Sequence, residues 1–156
     1  MQITKRTILS KIVRLFNLLG WLAPVIVIVK VIMQDLWLES LDCDSVLPQL
    51  FQDLWTQFRG NLAEIPTICI PRWLGMFESD NWQLHGFADA SQQAYAAVFY
   101  AVVPGRAFLL LTAKTKIAPT KVQSLPRLEL CAATFLVRLV PHILNAAQQP
   151  PKATHV

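Results

Sequence analysis

The chain has 156 residues, 54% of them hydrophobic and 15% charged, with 14 Lys plus Arg against 10 Asp plus Glu for a formal net charge of +4. So apolar a composition excludes an intrinsically disordered chain, and ten prolines without a period exclude collagen-like and coiled-coil architectures; the length suits one domain or two small pieces with a real core. The charge is unevenly spread, +5 over residues 1–30, −6 over 31–80 and +5 over 81–156, and in the last stretch Asp89 and Glu129 are the only acids.

Ile8, Ile12, Leu15, Phe16 and Leu19 recur at helical spacing with Lys5, Lys11 and Arg14 on the other side, which predicts a short basic amphipathic helix stopped by Gly20. A second helix is expected from Pro24, tolerated in a first turn, to Leu41, although the β-branched run within it also suits a strand. From Pro48, the pattern Leu50, Phe51, Leu54, Trp55, Phe58 and Leu62 predicts a third helix. Pro66, Pro71, Gly75 and the polar residues 78–81 break the pattern, so 65–81 is read as a linker after a helical segment over 1–64.

Beyond it the period changes. Trp82–Asp89, Ala94–Val103 and Ala107–Lys116 read as three antiparallel strands, the last two joined at Pro104-Gly105. Ser124 is placed to cap a helix over Leu125–Leu144 whose stripe Leu128, Ala132, Phe135, Leu139 faces the sheet, with Ala132 and Ala133 allowing close approach. The expected second domain covers 82–147, and 148–156 is expected to be a loose tail. The fold class is therefore α+β: a helical segment, then a three-stranded antiparallel sheet with a covering helix.

Cys43, Cys69 and Cys131 are odd in number and irregularly spaced, which fits neither a disulfide framework nor a zinc signature and implies free, mostly buried thiols in a reducing compartment. The apolar run Leu18–Val29 is twelve residues long, broken by Pro24 and closed by Lys30. A membrane span needs roughly 18 or more apolar residues, so a buried helix and no membrane partner are expected.

Asp89 at a strand end and Glu129 in the first turn of the covering helix can converge when that helix packs across its own sheet. Two carboxylates suit a hard cation such as Mg2+, with Lys114, Lys116, Lys121 and Arg127 left for phosphate contacts. The same positions have a purely local explanation, Asp89 capping a turn with Ser91 and Glu129 complementing the helix macrodipole. Lys5, Arg6, Lys11 and Arg14 suit either a nucleic-acid backbone or a solvated helix face. The five tryptophans suit packing or, as an alternative, a base-stacking platform. His85, His142, Ser91, Ser124 and Cys131 show no nucleophile motif.

The strings LHGFADAS (84–91) and LPRLELCAA (125–133), with TKR (4–6), GWLAP (20–24), MQDLW (33–37) and IPRWL (70–74), resemble the Pol polyprotein of BEL/Pao long-terminal-repeat retrotransposons from about Thr4 to Leu144. The region is also catalogued as the Pao retrotransposon peptidase family. The resemblance implies a reverse-transcriptase thumb or connection followed by the start of an RNase H-like domain. It implies that Asp89 and Glu129 are catalytic and hold Mg2+ close together, that the substrate is an RNA-DNA hybrid, and that the rest of Pol is a partner. It further implies an intracellular, cytoplasmic setting in a virus-like particle. RNase H chemistry needs later carboxylates, so the expectation is a truncated domain without efficient nuclease activity alone. Asn17, Leu18 and Leu19 depart from the family's Asp-Pro-Leu-type turn, which suggests a drifting copy. An aspartic peptidase would need Asp-Thr/Ser-Gly, and Asp89-Ala90-Ser91 lacks the glycine. A non-enzymatic nucleic-acid-binding or assembly module is the alternative from another class.

Overall fold

A computed structural model describes all residues except Met1, Phe16, Leu18, Ile68, 70–80 and Ala107. The IPRWL string, Trp73 and most of the expected linker lie outside the described residues. The elements are α1 (Lys5–Ile12), α2 (Ala23–Leu38), α3 (Gln49–Leu62), a 3-10 turn (Ile65–Thr67), β1 (Gln83–Ala90), β2 (Ala94–Val102), β3 (Leu109–Ile117), α4 (Leu125–Ala146) and β4 (Ala153–His155). The α+β class stands. The chain divides into two compact units: Met1–Phe16 with Ile28–Pro71, and Asn17–Val27 with Arg72–Val156.

In the helical unit, Thr4 and Thr7 form a reciprocal capping box that starts α1. The helix ends at Ile12, well short of the expected stop at Gly20. Arg14 and Leu15 donate to Lys11 and Ile12 carbonyls three residues back, which tightens the chain out of the α-helical pattern. Ile8, Val29, Ile32, Met33, Leu36, Leu47, Phe51, Trp55 and Phe58 are buried, and Trp55 stacks on Phe58 with ring centres 5.6 Å apart. Lys5 corrects its sequence reading: it is 2% exposed, not on a solvated face. Its Nζ donates to the Leu41 carbonyl at 2.7 Å and lies 4.8 Å from the Trp37 ring centre, so a carbonyl and a π face replace its hydration. Trp37 itself is 57% exposed.

The second unit is a sheet of order β3-β2-β1-β4. β1, β2 and β3 pair antiparallel as expected, and the Val103–Arg106 turn closes with a 3.0 Å bond, Pro104 fixing one corner and Gly105 (φ +79) the other. A bulge at Phe99/Tyr100 leaves Leu111 outside the β2–β3 pairing. The last strand corrects the sequence reading: the tail is not loose, because 153–155 pair in parallel with Gln83–His85 and Lys152 donates to the Trp82 carbonyl at 2.8 Å. A three-residue strand carries too little alternation to announce itself.

α4 lies over β1 and β2. Leu128, Ala132 and Leu136 are its buried residues; Phe135 and Leu139 pack partly buried against the core of Trp82, Leu84, Ala97, Phe99, Ala101 and Val103, and Ala133 is exposed. Ser124 holds the N-cap position but caps with its backbone carbonyl alone, accepting from Arg127 and Leu128. Among the described residues α4 is the helix long and apolar enough to cross a membrane, and its inner stripe is committed to the sheet.

Residues 19–21 cover the outer edge of β3. Leu19's carbonyl accepts from Ala113 N at 3.0 Å and Thr112 Oγ1 at 2.7 Å, and Trp21 Nε1 donates to Leu111 at 3.3 Å. Gly20 (φ +78) is required there, since a Cβ would fall 1.4 Å from the Ala113 carbonyl oxygen.

Candidate functional site

Side-chain direction in β1 alternates, and contacts fix which face is which. A Cβ on Gly86 would meet Leu136 Cδ1 at 3.0 Å, so Gly86 faces α4. Tyr95, the register partner of Ala90, meets Phe135 edge-on at 5.9 Å, so Ala90 faces α4 as well. Phe87 and Asp89 therefore belong to the opposite face, where Phe87 meets Tyr100 at 6.2 Å. Asp89 is exposed, and its Oδ1 accepts the Ala90 backbone N–H at 2.8 Å. Ser91 organises the following turn: its hydroxyl accepts from Gln93 and Ala94, and its N–H donates to the Ala94 carbonyl.

Glu129 is the fifth residue of α4, in its second turn rather than the expected first, and is exposed two turns before Leu136 on the flank that reaches β1; Phe135, on the other flank, reaches Tyr95 and Lys116. Because Phe135 already sits beside the partner of Ala90, the first turns of α4 lie at the C-terminal end of β1. Asp89 thus lies near the end of β1 and leaves it on the face away from α4, the helix that carries Glu129. β4 pairs only with Gln83–His85, so among the described residues the β1 edge from Gly86 to Ala90 on that side has no strand against it.

Mg2+ binds through one or two carboxylates together with substrate phosphates, and the two acids fit it in donor chemistry. Among the described residues no group of three or more His, Cys, Asp or Glu gathers as a larger donor set.

Lys114, Lys116, Lys121 and Arg127 are all exposed. Lys116 Nζ lies 4.7 Å over the Phe135 ring, beside the flank of α4 opposite Glu129. In the helical unit Lys11 is half-buried and Arg14 exposed, whereas Lys5 is spent internally and Arg6 forms a bidentate pair with Asp44 at 2.6 and 2.8 Å. That hydrogen bond, then the charge of Asp44, raises the Arg6 pKa; the same bond, then the charge of Arg6, holds the Asp44 carboxyl below its usual range. The cysteines are free, but Cys69 and Cys131 are exposed and Cys43 half-buried, which corrects the expectation of mostly buried thiols.

Sequence reasoning did not find the pairing of His85 with His155, whose ring centres lie 4.6 Å apart across β1 and β4. The signal was unreadable because it depends on the register of the unforeseen strand. Trp82 and Trp55 are core, and Trp21 is tied to β3.

No curated protein matches the chain. The Pao retrotransposon-like RNaseH-like domain family matches residues 4–156, which takes in both units, the Asp89-bearing strand and the Glu129-bearing helix, and the chain belongs to that family.

Proposed function

We propose that the chain is the RNase H-like part of a retrotransposon Pol protein, that it binds an RNA-DNA hybrid, and that Asp89 and Glu129 are its metal-holding carboxylates. What supports this reading is the connection β1-β2-β3-α4-β4, with Asp89 near the end of β1 and Glu129 in the second turn of α4, the helix that packs over β1 and β2. When bound, Mg2+ would supply charge stabilisation at a phosphate and activation of water. Lys114, Lys116, Lys121 and Arg127 neutralise backbone phosphates, and Lys11 and Arg14 do the same from the helical unit. Two exposed carboxylates hold a metal weakly, so the chain by itself is expected to bind hybrid without cleaving it efficiently.

The test is hybrid binding across a salt series, followed by an Mg2+-dependent cleavage assay. Replacing Lys114 and Lys116 by Ala should weaken binding and lower the slope of log affinity against log salt by roughly two. Affinity that ignores salt would sink the reading, and robust cleavage lost in Asp89→Asn would show the site to be competent alone. A non-enzymatic binding module is the second reading, favoured by the Asp89 bond to the Ala90 N–H, a local role that needs no metal. It predicts hybrid affinity unchanged by Mg2+, by Asp89→Asn and by Glu129→Gln.

A further inference from the structure

We propose that His85 and His155 form a two-imidazole site for a borderline divalent transition-metal ion such as Zn2+, which fastens β4 to β1. The two residues are register partners in the parallel pair, so their side chains leave the sheet on the same face. That face is the one away from α4, since Gly86 and Val156, one residue further along each strand, meet on the helix side. The ring centres are 4.6 Å apart with planes inclined by 37°. Two imidazoles on one ion, each at about 2.0–2.1 Å and roughly 90–110° apart, hold their ring centres ~4.5–5.3 Å from one another, so the observed spacing needs no backbone movement.

Gln83 supplies the orienting contact. Its Oε1 lies 3.1 Å from His85 Nε2 on the same face, and with Nε2–H donated there, Nδ1 is the nitrogen left with a lone pair. Imidazole pairs select Zn2+-like ions over Mg2+, which prefers oxygen, so this site is chemically separate from Asp89 and Glu129. Water completes the coordination. The gain for the fold is specific: β4 has three residues, and an ion held by both strands ties down the shortest element of the sheet.

The experiment is a titration of the full chain with Zn2+, read by calorimetry and by melting temperature. Saturable binding of one ion per chain with a rise in melting temperature is expected. Loss of an outer partner alone costs about 10–100-fold in metal affinity, so His85→Ala and His155→Ala should each weaken Zn2+ binding at least ~10-fold. His142→Ala, on α4, should leave it unchanged, and excess Mg2+ should not compete. The exposed thiols are rival ligands, so the titration is repeated with Cys69→Ser and Cys131→Ser, which should retain the binding. Absence of binding at millimolar Zn2+, undiminished binding in His155→Ala, or loss of binding in the serine variants would each overturn the proposal. If His85→Ala fails to fold, His155→Ala decides, because residue 155 is exposed on an edge strand.

Discussion

At Gly86 a strand residue has Phe99, Leu136 and Val156 around the place a side chain would occupy, at 2.8, 3.0 and 3.0 Å. Even a methyl group must push an aromatic ring and two branched side chains aside, so Gly86→Ala is expected to destabilise the sheet unit by about 1–3 kcal/mol in denaturant unfolding. A second residue-scale expectation concerns pH. Because Arg6 lowers the Asp44 pKa, the pair contributes stability above the unfolded carboxylate value and loses it as pH falls through the lowered folded value. Both side chains are largely exposed, so the contribution is small and salt-screened. Thermal melts of the wild type and Asp44→Asn should converge below about pH 4 and separate above it, more at low salt. A lack of separation at neutral pH and low salt would show the pair to be inert. Asp89 and Glu129 stand out in the sequence as the only acids of residues 81–156, and the residue pattern alone leaves a local role open for both. The fate of Lys5 could not be read there, since helical spacing places a residue on a face but does not reveal that Trp37 and the Leu41 carbonyl close over that face.

Among the elements, long periodic segments were legible and short or tertiary-determined ones were not. α3, α4 and the three antiparallel strands announce themselves through spacing and through Pro104-Gly105. The early end of α1 did not, because residues 19–21 follow contacts with β3 rather than helical periodicity, and Asn17 Oδ1 accepts the Leu22 N–H at 2.9 Å. α4 contains Pro141, which cannot donate to the Val137 carbonyl four residues earlier. Pro141→Ala restores that donor, partly offset by a more flexible unfolded chain, and is expected to raise stability by about 1–2 kcal/mol. Equilibrium denaturation checks the sign: a loss of stability would mean that the proline ring packs in a way its exposure does not suggest. On the opposite side of the same helix, Leu136→Ala should cost about 2–5 kcal/mol through the cavity it leaves beside Phe99.

For the whole molecule, the division into two units does not follow a single boundary along the chain. Residues 17–27 interrupt the helical unit and belong with the sheet, so one cut in the region 65–81 does not separate complete units. A fragment of residues 82–156 would lack the partner of the β3 edge. Its Ala113 amide is expected to exchange with solvent much faster than in the full chain, and the fragment to unfold at lower denaturant; equal protection would show that residues 19–21 add nothing. The two-piece plan was legible because the hydrophobic period changes from helical to alternating between the third helix and Trp82. Assignment of 17–27 to the later piece was not, since no local pattern encodes a partner some 90 residues away.

The Leu19–Ala113 contact also has a consequence in time. A ribosome adding about 5–20 residues per second delivers Ala113 on the order of 5–20 s after Leu19. The guard of the outer strand is therefore made first and must wait for what it guards. Once β3 emerges and pairs with β2, its free edge has a ready partner already attached to the chain, and it need not recruit the edge of a neighbouring molecule.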